Sequence, residues 1–200
     1  MDHSQHFISP RSHVSQEMRE ARQPHKGMVF WLTGLSGAGK STLAHAVEFE
    51  LFQRNYNIVV LDGDVMRTGL CRDLGFSPEE REENNRRIAE LAKIFVRKGA
   101  ICLCAFISPL RQARQQVREI IGQDFFREVF VKCSVEACEH RDVKGFYAMA
   151  RQGLILNYTG ISSDYETPLH PDLVICTENC PIEKNVDELL LFIERQTTKR

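Results

Sequence analysis

Residues 34–41 read Gly-Leu-Ser-Gly-Ala-Gly-Lys-Ser, and both their types and their spacing suit the binding of a triphosphate. The stretch matches G-x-x-x-x-G-K-[ST] in full. The glycines let backbone N–H groups approach phosphate oxygens, the lysine can reach the β- and γ-phosphates, and the serine offers its hydroxyl to Mg²⁺. The pattern predicts a nucleoside triphosphate with Mg²⁺ and leaves the phosphate acceptor open. The residues assigned to nucleotide binding are Gly34, Leu35, Ser36, Gly37, Ala38, Gly39, Lys40, Ser41 and Thr42.

The segments around this loop are those that the motif requires. An apolar run at 28–33 precedes it, and a helix-like segment at 42–52 follows. Beyond them, apolar runs alternate with amphipathic segments, an order typical of an α/β fold with a parallel sheet and helices on both faces. The predicted strands span 29–32, 58–61, 100–105, 129–133 and 173–176, and the predicted helices span 40–54, 79–98, 110–121, 134–140 and 183–195.

The length and composition suit one globular domain. Of the 200 residues, 42% are hydrophobic, enough for a sizeable core. We expect this domain over 26–200, preceded by a polar, flexible arm at 1–25 in which 15–22 could form a short helix. Residues 141–171 interrupt the α/β rhythm with short, glycine-punctuated segments, which predicts a lid over the nucleotide.

Charge and cysteine usage exclude several classes of protein. A formal net charge of -1 gives no basic excess for nucleic acid. No apolar run approaches the ~20 residues that a membrane-spanning helix needs, and the first residues lack the pattern of a signal peptide, so a cytoplasmic protein is expected. The seven cysteines are dispersed along the chain, which favours reduced thiols over a zinc site.

Two carboxylates follow the second predicted strand, at the edge where the carboxyl ends of parallel strands meet. Phosphoryl transfer needs a carboxylate near the metal and a group that takes the proton of the acceptor. Asp62 is therefore assigned to Mg²⁺, together with Ser41, and Asp64 to the proton, although a turn rich in Asp and Gly would also explain both. Ser108, before Pro109, is predicted to cap the helix that follows the third strand.

Charged residues also lie where they could face a ligand. Ser77 begins a capping-box pattern, so Arg81 and Asn84 share a face near the start of a long helix. Spacing alone favours a solvated, charged face there. Spacing alone also leaves the basic residues of the lid as surface charges, although they could bring positive charge to the transferring phosphate. These basic residues are Arg141, Lys144 and Arg151.

Several blocks stand in order along the chain. They are 34–42, Leu61-Asp-Gly-Asp64 with Arg67, Asp73-Leu-Gly-Phe76, Arg81 with Glu83-Asn84, Ala105-Phe-Ile-Ser-Pro109, Arg141-Asp142 with Lys144-Gly145, and Thr159-Gly-Ile161 with Tyr165-Glu166. Together they resemble the adenylylsulfate kinase, or APS kinase, family of P-loop kinases. The resemblance covers the chain from about residue 26 onward. It implies a three-layer P-loop kinase fold with a mostly parallel five-stranded sheet and a lid. It also implies transfer of the γ-phosphate of Mg-ATP to the 3′-hydroxyl of adenosine 5′-phosphosulfate (adenylylsulfate), a step of sulfate activation.

The resemblance also assigns roles to residues. The catalytic group would be Asp64, assisted by Lys40. The residues implied to bind the acceptor are Phe76 and Tyr158 around its adenine, Arg67, Arg81 and Lys144 at its phosphosulfate, and Asn84 with the backbone of Ile107. Arg141 would lie beside the adenine of ATP. Ser108 matches a serine described as a phosphoserine intermediate in some members, although direct transfer needs no such intermediate. A homodimer is also implied.

Three positions depart from the family pattern. Val65 stands in place of the usual Asn, Val143 in place of Pro, and Tyr158 in place of Phe. A tyrosine can still stack on an adenine, so adenylylsulfate remains the expected acceptor. A less rigid turn at 141–145 is expected to change the kinetics of the lid.

Two other functions stay open on the residues alone. A kinase of the same fold could act on gluconate, shikimate or a nucleoside, since only the blocks outside 34–42 point to adenylylsulfate. A non-enzymatic nucleotide switch is disfavoured. Its D-x-x-G match at 142–145 follows a helix-like segment rather than a strand, and the sequence contains no N-K-x-D motif.

Overall fold

The computed structural model describes residues 13–142 and 144–199. Its strands are β1 (Met28–Thr33), β2 (Ile58–Asp62), β3 (Ile101–Ala105), β4 (Phe126–Lys132) and β5 (Leu173–Cys176). Its helices are α1 (Gln16–Glu20), α2 (Lys40–Gln53), α3 (Gly63–Thr68), α4 (Pro78–Arg97), α5 (Arg111–Ile121), α6 (Val135–Arg141), α7 (Phe146–Arg151) and α8 (Ile182–Thr197). The strands pair in the order β2-β3-β1-β4-β5, and every pair is parallel. The predicted α/β class and its five strands are confirmed.

The central strand β1 divides the core into two halves. All six of its residues are buried, as expected for a strand that is covered on both faces. Phe30 packs in the core that α2 and α8 complete, whereas Trp31 packs in the core that α4 and α5 complete. The predicted three-layer arrangement is therefore confirmed. Of the helices that the structure describes, none combines the length and apolar composition needed to cross a membrane.

The cysteines behave as apolar core residues. All seven are free thiols, and four of them are buried. Burial raises the pKa of the Cys102 thiol to about 12 and raises that of Cys104 well above its usual value, because desolvation disfavours the thiolate. Both therefore stay protonated in β3, in keeping with the prediction of reduced thiols.

Two short helices, α3 and α7, lie in segments where the sequence indicated turns and loops. Asp62 Oδ1 accepts the N–H of Asp64 at 2.9 Å and so caps α3. The Asp142 carboxylate accepts the N–H groups of Tyr147 and Ala148, both at 3.1 Å, in α7. An Asp near a glycine reads as a turn because the same side-chain bond serves turns and helix starts.

The start of α5 corrects one prediction. Ser108 does not cap this helix, because the N–H of Arg111 donates instead to Glu166 Oε2 at 2.7 Å, from 55 residues further along the chain. Ser108 is buried, with a φ of +42°. At α4 the predicted capping box is confirmed, since Ser77 Oγ accepts the N–H of Glu80 at 3.2 Å.

Part of the predicted arm packs against the domain. The short helix is confirmed as α1, with Ser15 as its N-terminal cap. His25 is buried and its ring stacks on Tyr56 at 4.8 Å between centroids. Residues 15–25 therefore do not stand free of the fold. Residues 1–12 of the predicted arm lie outside the described residues, and the domain boundary at residue 26 stays a prediction.

Candidate active site

The nucleotide loop connects β1 to α2 at the carboxyl end of the sheet, where the motif predicts it. A β-carbon at Gly34 would stand 2.4 Å from the carbonyl oxygen of Val131 on β4. Gly39 has a left-handed φ of +91°, which residues with a β-carbon rarely adopt. These glycines let the loop close tightly in front of α2. Phosphates bound there would meet the positive end of the helix dipole.

Lys40 is buried within the loop. Its Nζ donates to the carbonyl oxygens of Gly34 and Leu35 at 2.9 and 2.7 Å. Burial lowers the pKa of Lys40 from 10.5 to about 8, because desolvation disfavours the ammonium form. The negative charge of a bound triphosphate would favour that form again, so the protonation of Lys40 and the binding of nucleotide are linked.

We expect the affinity for an ATP analogue to fall as the pH rises through about 8. Below this pH Lys40 already carries its charge in the free protein, and above it the amine must take up a proton when the nucleotide binds, which weakens binding. Calorimetric titration with AMPPNP from roughly pH 6.5 to roughly pH 9.5 measures the effect. Lys40→Arg is the control, because its guanidinium stays charged over this range. A wild-type affinity as flat as that of the control would contradict the link.

The two residues assigned to Mg²⁺ lie together. Ser41 Oγ donates to Asp62 Oδ2 at 2.5 Å, so the start of α2 meets the end of β2. Both side chains offer oxygen, the donor that Mg²⁺ prefers, and kinases bind this ion through few protein oxygens beside those of the phosphates. The pair thus fits the ion, and its assignment to Mg²⁺ stays a proposal.

Asp64 lies between the nucleotide loop and residues 141–171, the predicted lid. It belongs to the first turn of α3, two residues after Asp62. Its carboxylate forms an ion pair with Lys144 of the lid, and the two side chains are 69% and 48% exposed. The carboxylate is therefore next to the nucleotide site and open to a second substrate.

An aromatic ring and two cations form a patch beside α3. The guanidinium carbons of Arg67 and Arg81 lie 4.3 and 5.7 Å from the ring centroid of Phe76. Arg67 Nη1 also donates to the carbonyls of Leu74 and Gly75 at 3.0 and 2.8 Å, which fixes it in place. Phe76 itself is 60% exposed. A flat ring flanked by cations suits a ligand that is both aromatic and anionic.

Arg81 connects this patch to the lid. Its Nη1 donates to Thr159 Oγ1 at 3.0 Å, and its Nη2 donates to the carbonyl of Asn157 at 2.8 Å. The solvated helix face that spacing alone favours is therefore wrong for this residue. Because Arg81 binds both neighbours of Tyr158, the structure brings that residue to the same side of the site.

Tyr147 links the two halves of the site, although no sequence motif includes it. Its hydroxyl donates to the carbonyl of Ser36 in the nucleotide loop at 2.9 Å. Its ring meets the ring of Tyr158 edge-on, with 5.0 Å between centroids. A buried aromatic residue in a short helix looks the same in sequence whether it fills a core or joins two loops, so no local signal could have found it.

Two of the basic residues in the lid differ in position. Arg141 Nη2 donates to the carbonyl of Thr177 at 2.7 Å, and its Nη1 donates to the carbonyl of Gly37 at 3.3 Å. Arg141 therefore lies against the nucleotide loop. Arg151 instead forms a bidentate pair with Glu139 at 3.0 and 2.9 Å, and the contact holds α7 to α6.

The loop after β3 forms another wall of the site. Thr33 Oγ1 donates to the carbonyl of Ile107 at 2.7 Å, and Trp31 Nε1 donates to Ser108 Oγ at 3.0 Å. Asn84, on α4, is buried, and within residues 13–142 and 144–199 its Oδ1 has no hydrogen-bond partner. Buried polar atoms rarely stay unpaired, so this oxygen is a candidate partner for an N–H or O–H of a ligand.

A family model described as Adenylylsulphate kinase matches residues 26–176. The chain belongs to the adenylylsulfate kinase family. Adenylyl-sulfate kinases of Bacillus velezensis and Oceanobacillus iheyensis are each 48% identical to it, over 90% and 97% of this chain and 92% and 98% of theirs. A solved structure of the Mycobacterium tuberculosis APS kinase in complex with AMPPNP and APS is 41% identical. The match covers 86% of this chain and 99% of the chain in that structure, with a TM-score of 0.81.

Membership of the adenylylsulfate kinase family confirms the resemblance in the sequence. The chain is an ATP-dependent kinase of this family. Its membership disfavours both alternatives, a non-enzymatic nucleotide switch and a kinase of gluconate, shikimate or nucleosides. The roles of single residues stay predictions that the geometry supports. Val143, one of the departures from the family pattern, lies outside the described residues, and its expected effect on the lid stays a prediction.

Proposed function

We propose that this chain transfers the γ-phosphate of Mg-ATP to the 3′-hydroxyl of adenylylsulfate, with 3′-phosphoadenylylsulfate and ADP as products. The position of α3 carries the proposal. Asp62, its cap, bonds to Ser41 on the nucleotide side. Arg67, in its last turn, flanks Phe76 on the acceptor side. Asp64 lies between them, where a phosphate donor and a hydroxyl acceptor would meet.

On the donor side, the chain binds triphosphate through the nucleotide loop. Lys40 supplies charge to the β- and γ-phosphates, and Arg141 packs beside the ATP adenine over the loop that it already contacts. When bound, Mg²⁺ neutralises charge on the β- and γ-phosphate oxygens, and Ser41 and Asp62 would hold it. Tyr147 keeps the lid in contact with this loop, which helps to exclude water during transfer.

On the acceptor side, Phe76 and Tyr158 hold the adenine of adenylylsulfate between their rings. Arg67, Arg81 and Lys144 meet the phosphosulfate, for which guanidinium groups offer matching pairs of donors. Asn84 Oδ1, which is unpaired, would accept a hydrogen bond from an N–H or O–H of the acceptor, and the loop after β3 contributes the Ile107 backbone. Binding of the acceptor draws Lys144 from Asp64 toward the phosphosulfate, which frees the carboxylate for the hydroxyl.

The transfer is a direct displacement. Asp64 accepts the proton of the 3′-hydroxyl while the oxygen bonds to the γ-phosphorus. The bond from that phosphorus to the bridging oxygen breaks, and ADP leaves with the electron pair. Lys40 stabilises the charge that develops on the transferred group. Ser108 needs no covalent role in this sequence of steps, because its hydroxyl is buried and bonded to Trp31.

We expect the enzyme to act in the cytoplasm. Its need for ATP and its seven free thiols suit the cytoplasm, where thiols stay reduced. We also expect a homodimer, as the family resemblance implies, and native mass spectrometry measures this directly.

A panel of acceptors tests the activity. The enzyme is incubated with Mg-ATP and either adenylylsulfate, gluconate, shikimate or adenosine, and ADP release is followed by a coupled assay. We expect rapid release with adenylylsulfate alone, with the product identified by mass and by its 3′-phosphorus signal. Faster release with gluconate than with adenylylsulfate would overturn the acceptor assignment.

Replacing Phe76 with Ala is expected to raise the KM for adenylylsulfate roughly tenfold to a hundredfold, since stacking on a base contributes about 1–3 kcal/mol. The KM for ATP and the melting temperature should stay close to those of the wild type. Phe49→Ala is a matched control, because Phe49 is also 60% exposed but lies on α2. Equal KM values for the two variants would remove Phe76 from the acceptor site.

A further inference from the structure

The loop after β3 is held in a strained conformation. Ser108 has a φ of +42° although it is not glycine, and such residues persist only where their surroundings leave no alternative. Ser108 Oγ accepts the indole N–H of Trp31 at 3.0 Å and donates weakly to Asn85 Oδ1 at 3.4 Å. In the proposed function the neighbouring Ile107 backbone contacts the acceptor. The groups that fix this strained backbone therefore also set the geometry of acceptor binding.

Arg114 of α5 provides most of that constraint. The residue is 3% exposed, and its Nη1 donates to the carbonyl oxygens of Ser108 and Pro109 at 2.7 and 3.1 Å. Its Nε donates to Glu128 Oε1 at 2.6 Å, which keeps the buried charge paired. A guanidinium can bind several oxygens at once because its donors point outward in a fixed plane. A lysine at this position could satisfy only part of the set.

The same guanidinium joins this loop to the end of the lid segment. Arg114 Nη2 donates to the carbonyl of Glu166 at 2.7 Å. The N–H of Glu166 donates in turn to the carbonyl of Pro109 at 2.9 Å. Beside it, the hydroxyl of Tyr165 and Thr33 Oγ1 share a hydrogen bond of 2.9 Å. Residues 108–109 and 165–166 thus form one unit beside Arg114.

We infer that Arg114 is a positioning residue for the acceptor. It acts through the backbone of residues 107–109 and does not touch the substrate. The inference rests on the proposed function, because it takes the loop after β3 as an acceptor contact. The bonds of Arg114 to Ser108, Pro109 and Glu166 lie on the acceptor side, whereas Lys40 and Arg141 hold the donor side. Its loss should therefore affect one substrate selectively.

Glu128 provides a matched control. Glu128 belongs to β4, and its carboxylate accepts a hydrogen bond from Arg114 Nε. Its own N–H donates to Asp172 Oδ2 at 2.7 Å. Glu128 therefore holds Arg114 to β4 and, within the described residues, forms no hydrogen bond with the loop after β3. Glu128→Gln removes the buried negative charge and keeps an oxygen for Nε. Arg114→Lys keeps the positive charge and loses bonds to the loop. Both changes disturb the same buried ion pair, but only the second one releases residues 107–109.

Steady-state kinetics of the two variants test the inference. We expect Arg114→Lys to raise the KM for adenylylsulfate about tenfold to a hundredfold, because a loop that Arg114 no longer fixes leaves polar groups of the acceptor poorly paired, and such losses have effects of that size. Its KM for ATP should stay within about twofold of the wild type. Glu128→Gln should lower the melting temperature and leave both KM values within about threefold. Such a split separates positioning from a general loss of stability, which would move both variants together.

Two results would overturn the inference. One is an unchanged KM for adenylylsulfate in Arg114→Lys. The other is a rise in the KM for adenylylsulfate and in the KM for ATP that is the same in Arg114→Lys and in Glu128→Gln. If Arg114→Lys does not fold, the double variant R114Q/E128Q, which leaves no buried charge unpaired, is compared with Glu128→Gln in the same way. Wild-type enzyme that does not phosphorylate adenylylsulfate would instead refute the proposed function, so the two failures are distinguishable.

Discussion

Asp64→Asn is expected to lower kcat by about two to four orders of magnitude, the range that a positioned general base contributes. The amide has nearly the same shape as the carboxylate but cannot accept the proton of the 3′-hydroxyl. Binding of AMPPNP should change little, because Lys40 and the glycines of the nucleotide loop are untouched. Single-turnover rates measure the chemical step, and calorimetry measures the binding.

A control for this change is Asp124→Asn, since Asp124 is an exposed carboxylate in the 3₁₀ turn at Gln123–Phe125, before β4. It should keep the wild-type rate. The variant at 64 also loses the ion pair with Lys144, so some change in lid closure accompanies the loss of the base. Turnover of Asp64→Asn within about threefold of the wild type would remove this residue from the mechanism.

Lys40→Ala is expected to lower kcat/KM for ATP by at least about two to three orders of magnitude, as for other groups that stabilise transition-state charge. The change removes the ammonium from the phosphates. It also leaves the carbonyls of Gly34 and Leu35 without the donor that they have in this structure. Lys98→Ala, at an exposed position just after α4, is the control. Comparable rates for the two variants would contradict the assignment of Lys40.

Much of the fold follows from patterns that are local in sequence. Alternation of apolar runs and amphipathic segments located all five strands of the sheet. The order β2-β3-β1-β4-β5 could not be derived in this way, because it depends on which faces pack together. The capping box at Ser77 was predictable since its partners stand three residues apart. The cap of Arg111 was not, because Glu166 reaches it from 55 residues away.

The site shows the same division between local and distant information. The nucleotide loop and the two acids after β2 are contiguous motifs, and the sequence reveals them. Arg81 looked like one charge on a solvated helix, because its partners at 157 and 159 lie on the lid. Arg114 and Tyr147 gave no signal at all, since a buried arginine and a buried tyrosine acquire their roles only from the loops that fold onto them.

We propose that the phosphate-binding loop faces a pocket for a sulfated adenine nucleotide. A crystal structure with AMPPNP and adenylylsulfate tests it most directly. We expect the acceptor adenine against the ring of Phe76, its phosphosulfate beside Arg67 and Arg81, and its 3′-oxygen within hydrogen-bonding distance of Asp64. An adenylylsulfate bound away from Phe76, with Arg67 and Arg81 turned to solvent and Asp64 distant from the 3′-oxygen, would contradict it.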